Sequence, residues 1–152
     1  MCGGLIFNNK DELIRVYFPV PYSTIYYIDS KGVTNKAFWG IRGESEFSDL
    51  IFPKTGWAKI ESIKSGYWNR FNPEKVYIPA YKYMEKDPNG NSHWFELKDN
   101  EFIMGLLVKS YEHPFVYVIT IPSPKDYAHI HDRWVFVVEK DNLDKGLSIT
   151  SG

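Results

Sequence analysis

The chain has 152 residues, a formal net charge of −1, 43% apolar residues and 24% charged residues. These values describe one ordinary soluble domain, long enough to bury a core without disulfides. They exclude a strongly basic duplex binder, the single cysteine excludes an internal disulfide, and no run reaches the ~18 apolar residues of a membrane-spanning helix.

Aromatic residues make up 17% of the chain, with five Trp, eleven Tyr and ten Phe. Rings of this kind favour strands. The N-terminus lacks the basic-then-apolar layout of a secretory signal, so a cytoplasmic or nucleoid-associated location is expected. In chain order, Asn9-Lys10-Asp11-Glu12 is expected to open a short helix. Strands are expected at 16–18, 24–28, 37–41, 76–78, 93–97, 102–108, 115–121 and 134–139, where β-branched and aromatic residues lie between turn signals. Asp87-Pro88-Asn89-Gly90-Asn91 is a strong turn and should join 81–84 to 93–97 as a hairpin. Asp99-Asn100 is a second turn. Ser123-Pro124-Lys125-Asp126 has Ser as N-cap and Pro at the first helical position, and should start a short helix. Residues 141–145 should form a last helical turn, and 147–152 a frayed tail. The expected architecture is a single α+β domain, with a mainly antiparallel β core and a few short helices.

Four features could carry chemistry. The first is Cys2. Once Met1 is removed, Cys2 presents an α-amine and a thiol on adjacent carbons. An α-amine titrates at about 7.7–8.0 against about 10.4 for lysine, so roughly a tenth of it is nucleophilic at pH 7. It can condense with an aldehyde to a Schiff base, and the thiol can then close a five-membered thiazolidine. Gly3 and Gly4 follow, and glycine permits close approach of a bulky partner. The second is the run from Tyr127 to Arg133, where His129, His131, Asp132 and Arg133 fall within five residues, with imidazole as the usual proton shuttle near neutral pH. The third is Glu85, a carboxylate closing the apolar run that begins at Val76. The fourth is Gly56-Trp57-Ala58-Lys59-Ile60-Glu61-Ser62 with Lys64, Trp68 and Arg70, in which bases could stack on rings while cations track phosphates. No metal or cofactor is expected from these patterns, because His129 and His131 have no matching ligands at metal-site spacing.

The order of these pieces resembles the SRAP family, the SOS-response-associated peptidase proteins. Met1-Cys2-Gly3 matches the family's Met-Cys-Gly start, and Trp39-Gly40 its Trp-Gly pair. Ala58-Lys59-Ile60-Glu61-Ser62 is similar to its Asn-Ala-Arg-x-Glu-Thr element. Ile78-Pro79-Ala80 with Tyr83 and Glu85 is similar to its Val-Pro-Ala-x-Gly-aromatic-Tyr-Glu element. Thr120, and then Ile130-His131-Asp132-Arg133, resembles its closing Ile-His-Asp-Arg-Met-Pro element. The resemblance spans residues 1 to about 138. It departs from the family pattern at Gly4, Trp57, Lys59, Lys82, Met84 and Trp134-Val135, and the chain is shorter than typical members.

The resemblance implies a barrel-like fold and a protein that cross-links to abasic sites in single-stranded DNA. Cys2 would be the nucleophile. Glu85 would be the acid/base, also implicated in freeing Cys2 from Met1, and His131 would assist proton transfer. Lys59 and Arg133 would contact phosphates or support the site, with Trp39, Trp57 and Gly3 beside the DNA. The implied partner is single-stranded DNA bearing abasic sites, and a monomer is expected. Two other readings stay open on the residues alone: a cysteine-dependent peptidase or amidase using Cys2 and His131, and a non-catalytic single-strand-binding or protein-interaction module on the same fold.

Overall fold

The computed structural model describes residues 3–146. Cys2 and the expected tail at 147–152 lie outside the described residues. The strands are β1 (Gly4–Asn9), β2 (Glu12–Tyr17), β3 (Thr24–Ile28), β4 (Thr34–Trp39), β5 (Trp57–Lys59), β6 (Glu74–Ile78), β7 (Lys82–Lys86), β8 (Ser92–Glu96), β9 (Glu101–Lys109), β10 (Pro114–Pro122), β11 (Arg133–Val135) and β12 (Val137–Glu139). One short helix, α1 (Ile60–Lys64), follows β5, and single 3-10 turns occur at Tyr67–Phe71 and Lys125–Tyr127. This is the expected α+β domain with few short helices. No helix among the described residues is long and apolar enough to cross a membrane.

Five strands close a barrel. β4 pairs with β3, β3 with β6, β6 with β9 and β9 with β10, all antiparallel, and β10 returns to β4 in parallel. β10 also carries β5 and β11 along its second half. It is apolar almost throughout because both of its faces are buried. Val116 and Val118 point to one core with Val76, Ile78 and Ile103. Phe115, Tyr117 and Ile119 point to a second, under Ile41, Phe47, Phe52, Trp68 and Phe71. Gly105 of β9 sits where there is no room for a side chain: an added Cβ would stand 2.9 Å from Val116 Cγ1 and 3.0 Å from Ile78 Cδ1.

A second sheet, in the order β2-β1-β7-β8, lies against the first core through Leu5, Phe7 and Tyr83. Its β7–β8 hairpin is the one expected from the Asp87–Asn91 turn. Asp87 Oδ1 accepts from the N–H groups of Asn89 and Asn91, both at 2.9 Å, and Gly90 takes φ +83°.

Three expected helical segments differ. Asn9 to Glu12 is the tight turn of the β1–β2 hairpin, because the strands pair through to Asn9↔Glu12 and Lys10 takes φ +59°. After Ser123 only a three-residue 3-10 turn forms, with no side-chain cap, because the Ser123 hydroxyl donates to the Pro124 carbonyl at 3.3 Å while its N–H bonds the Asp132 carbonyl at 3.0 Å. Residues 141–145 are not helical, since Lys145 reaches across to the carbonyls of Ala80 (3.0 Å) and Lys98 (2.7 Å). The expected strand at 134–139 is divided at Phe136. Its N–H goes to the Ile119 carbonyl of β10 and its carbonyl accepts from Met104 N–H of β9, so the chain changes partner strand there.

Candidate active site

β7 alternates its side chains. Tyr83 and Glu85 face the core side of the small sheet, and Lys82, Met84 and Lys86 face away. β1 runs antiparallel beside β7, and their register ends with Gly4 opposite Met84, the residue before Glu85. Gly3 N–H donates to the Met84 carbonyl at 3.2 Å, and Gly3 C=O accepts from Phe18 N–H at 3.2 Å. The residue that follows Cys2 is thus held between β7 and the chain leaving β2. Gly4 is tight, with Tyr17 ring atoms 3.1 Å and Met84 Cε 3.3 Å from any added Cβ. Gly3 is roomier: among the described residues only Met84 Cε, at 3.9 Å, comes near an added Cβ.

Glu85 has no exposed surface. Burial disfavours the charged form, and it pushes the carboxyl up to about 7. Directly across β8 from Glu85 stands His93, and side chains so paired share a face about 4.5–5.5 Å apart at Cβ. His93 Nε2 lies 2.8 Å from Asp87 Oδ2. This hydrogen bond, with those from the turn's backbone N–H groups, holds Asp87 down at about 2. Neither His93 nor Asp87 stands out as a site residue in the sequence. Their meeting depends on the hairpin register, and the Asp-Pro-Asn-Gly turn is its one sequence signal.

His131 lines an open cleft with Ala128 to Asp132 on one side and Lys86, Asp87 and Pro88, which follow Glu85, on the other. The segment is fixed by aromatic packing onto the hairpin. Tyr127 stacks on Trp134 at 4.7 Å and 6°, Trp134 meets Phe95 at 5.1 Å, and the Trp134 indole N–H donates to Tyr83 Oη at 3.0 Å. His131 Nδ1 accepts from Arg133 N–H at 3.0 Å and lies 3.0 Å from Asp132 Oδ1. One nitrogen cannot accept from an amide and donate to a carboxylate at once. The neutral ring with its proton on Nε2 accepts from the Arg133 amide, and a proton on Nδ1 would instead be donated to Asp132. Burial lowers the His131 pKa, against the pull of Asp132, which favours the neutral ring near pH 7.

Arg133 is a tie rather than a free cation. Its guanidinium grips Glu61 at 2.7 and 3.0 Å and reaches the Thr120 carbonyl at 2.9 Å and hydroxyl at 3.2 Å. That joins β11 to α1 and β10, and it matches the supporting role weighed for Arg133 more than a phosphate contact. The Arg133 hydrogen bond lowers the Glu61 carboxyl. Lys59 is exposed at the end of β5.

Trp39 corrects an expectation. It is 2% exposed, in the core, with its indole N–H on the Gly56 carbonyl at 3.1 Å, so no base can stack on its face. Gly40 beside it takes φ +54°, and an added Cβ would fall 2.1 Å from Thr55 O. The Trp-Gly pair is therefore a structural joint. Trp57 is half-buried, 4.9 Å from the Phe18 ring and 6.5 Å from that of Trp39. Through Phe18 it is linked to Gly3. The structure thus gathers Gly3, Glu85 and the His131 cleft at one end of the small sheet, with Trp57 one ring away, and leaves Trp39 in the interior.

No family model matches this chain, and no curated protein matches it.

Proposed function

We propose that this protein captures the ring-opened aldehyde of abasic sites in single-stranded DNA through the α-amine and thiol of Cys2, once Met1 is removed. The amine adds to the aldehyde carbon to give a carbinolamine. A proton delivered to the hydroxyl lets it leave as water, forming the imine. The thiol sulfur then adds to the imine carbon while its proton passes to nitrogen, closing the thiazolidine. One water is released overall and no oxidant is needed.

One observation carries the reading. A carboxyl with no exposed surface, titrating at about 7, follows Met84 on β7, and the Met84 carbonyl accepts from the N–H of Gly3, the residue to which Cys2 is bonded. A group half-protonated at neutral pH both donates to the departing hydroxyl and accepts from the attacking amine. His131, neutral near pH 7 and open to its cleft, suits the exchange of that proton with solvent. The family resemblance points the same way.

The test is a denaturing gel of the full chain mixed with an abasic oligonucleotide, after intact mass has established loss of Met1. A shifted band is expected, absent in Cys2→Ala. Glu85→Gln should slow its appearance about 10²- to 10⁴-fold. No shifted band, or one undiminished in Cys2→Ala, sinks the proposal.

A further inference from the structure

A separate cavity of about 310 Å³ opens between the chain leaving β2, the end of β4 and the loop after Gly40. Tyr22, Phe38 and Phe47 form a corner of rings in it. Tyr22 meets Phe47 at 87° and 6.3 Å, and Phe38 at 64° and 6.5 Å. Glu44 and Glu46 stand at its rim, and Arg42 lines one wall.

We infer that this cavity binds a small organic cation with a methylated ammonium head. Ring faces hold such heads through their negative quadrupoles, and the exposed Tyr22 ring and the half-buried Phe38 ring line this cavity. Two carboxylates against one guanidinium leave the mouth net negative. Among the described residues neither glutamate forms an ion pair. A nucleotide would have to seat its phosphate beside those carboxylates, and a neutral apolar ligand would leave both unused.

Tyr22 supplies the second observation. It takes φ +60° and is 56% exposed. A bulky residue in the left-handed region is a true outlier, and such strain persists where the surroundings hold it for a purpose. Here the Ser23 hydroxyl, within reach of the carbonyls of Tyr17 (2.6 Å) and Val20 (2.7 Å), and the Trp39 N–H bond to the Ser23 carbonyl pin the turn. The result is a ring held open over the cavity rather than folded into the core. Glu85 is not among the described residues that line the cavity, and this inference does not rest on the capture of aldehydes.

The experiment is an NMR titration of the full chain with three probes: choline, a trimethyl-lysine peptide, and the same peptide with a tert-butyl carbon in place of the ammonium nitrogen. Saturable shifts of the Tyr22, Phe38 and Phe47 rings are expected with the cations, and binding about tenfold weaker for the neutral isostere. Tighter binding of the peptide than of choline would identify a protein side chain as the source, and the reverse a free metabolite. The double variant Glu44→Gln/Glu46→Gln changes exposed residues alone, and should weaken binding about tenfold while leaving the folded spectrum intact. Tyr22→Phe should bind as the parent does. The inference is overturned by no saturable shift below about 10 mM, by equal affinity for the isostere, or by preferential binding of a deoxynucleoside monophosphate, which would mark Arg42 as a phosphate contact.

Discussion

Because Glu85 is buried and titrates at about 7 against an ordinary 4.5, folding must depend on pH through this one carboxyl. The folded chain holds the proton up to about pH 7, and the unfolded chain releases it near 4.5. Between those values the native state binds more protons, so stability falls as pH rises. The contribution is fully present below about 4.5 and lost as pH climbs through about 7, with a ceiling on the order of 3 kcal/mol. Glu85→Gln mimics the protonated form and cannot ionise. Its stability should be flatter over this window, and above pH 7.5 it should equal or exceed that of the parent. Urea unfolding at pH 5, 6, 7 and 8 measures this. Parallel curves for the two proteins would show that Glu85 is not the titrating group.

At the scale of elements, two contacts decide whether the strands hold. Gly105 lets β9 approach the side chains of β10 and β6 inside the barrel. Gly105→Ala should cost about 1–3 kcal/mol by overpacking, although alanine is otherwise at least as good as glycine in a strand. Thermal unfolding reads the loss, and an unchanged Tm would mean that Val116 and Ile78 yield freely. Arg133 joins β11 to α1 and β10 through a fork that lysine cannot reproduce. Arg133→Lys should therefore lose most of what Arg133→Ala loses, about 1–3 kcal/mol. The Thr120 end dominates that figure, since Glu61 faces water. Denaturant midpoints of both variants check the ranking, and a lysine variant as stable as the parent would show that charge alone suffices.

The same elements mark how far sequence reasoning reached. β3, β9 and β10 were legible because their long apolar and aromatic runs are buried on both sides. The β7–β8 hairpin was legible because Asp87, Asn89 and Gly90 encode its turn. β1 was not singled out, since its six residues open on Gly4 and carry little alternation. α1 was missed because a five-residue helix is too short to show a helical period, and no side chain caps its start. The helix expected at Asn9 to Glu12 failed because a polar cluster that caps a helix also turns a hairpin, and β1–β2 pairing decides between the two. Glu85 and His131 were legible as residue types at the ends of structured runs. The His93–Asp87 pair and the burial of Trp39 depend on register and on closure of the barrel, which no local pattern contains.

For the whole molecule, electrostatics sets how the proposed capture of a DNA strand would work. The chain balances 18 basic against 19 acidic residues. Arg133, the strongest phosphate candidate near the site, is engaged with Glu61 and Thr120. Lys59 remains as an exposed cation on that side. Each phosphate neutralised on a single strand contributes about −0.7 to the slope of log affinity against log salt. One to three such contacts would give a slope of about −1 to −2, so the proposed capture would rest on a weak non-covalent encounter and a covalent bond that does the holding. Initial cross-linking rates at sub-saturating oligonucleotide, measured from about 50 to 400 mM NaCl, should follow that shallow line. A slope of about −5 or steeper would require some seven phosphate contacts. That would mean a basic track along the strand, and it would move the source of affinity from the chemistry of Cys2 to the surface around it.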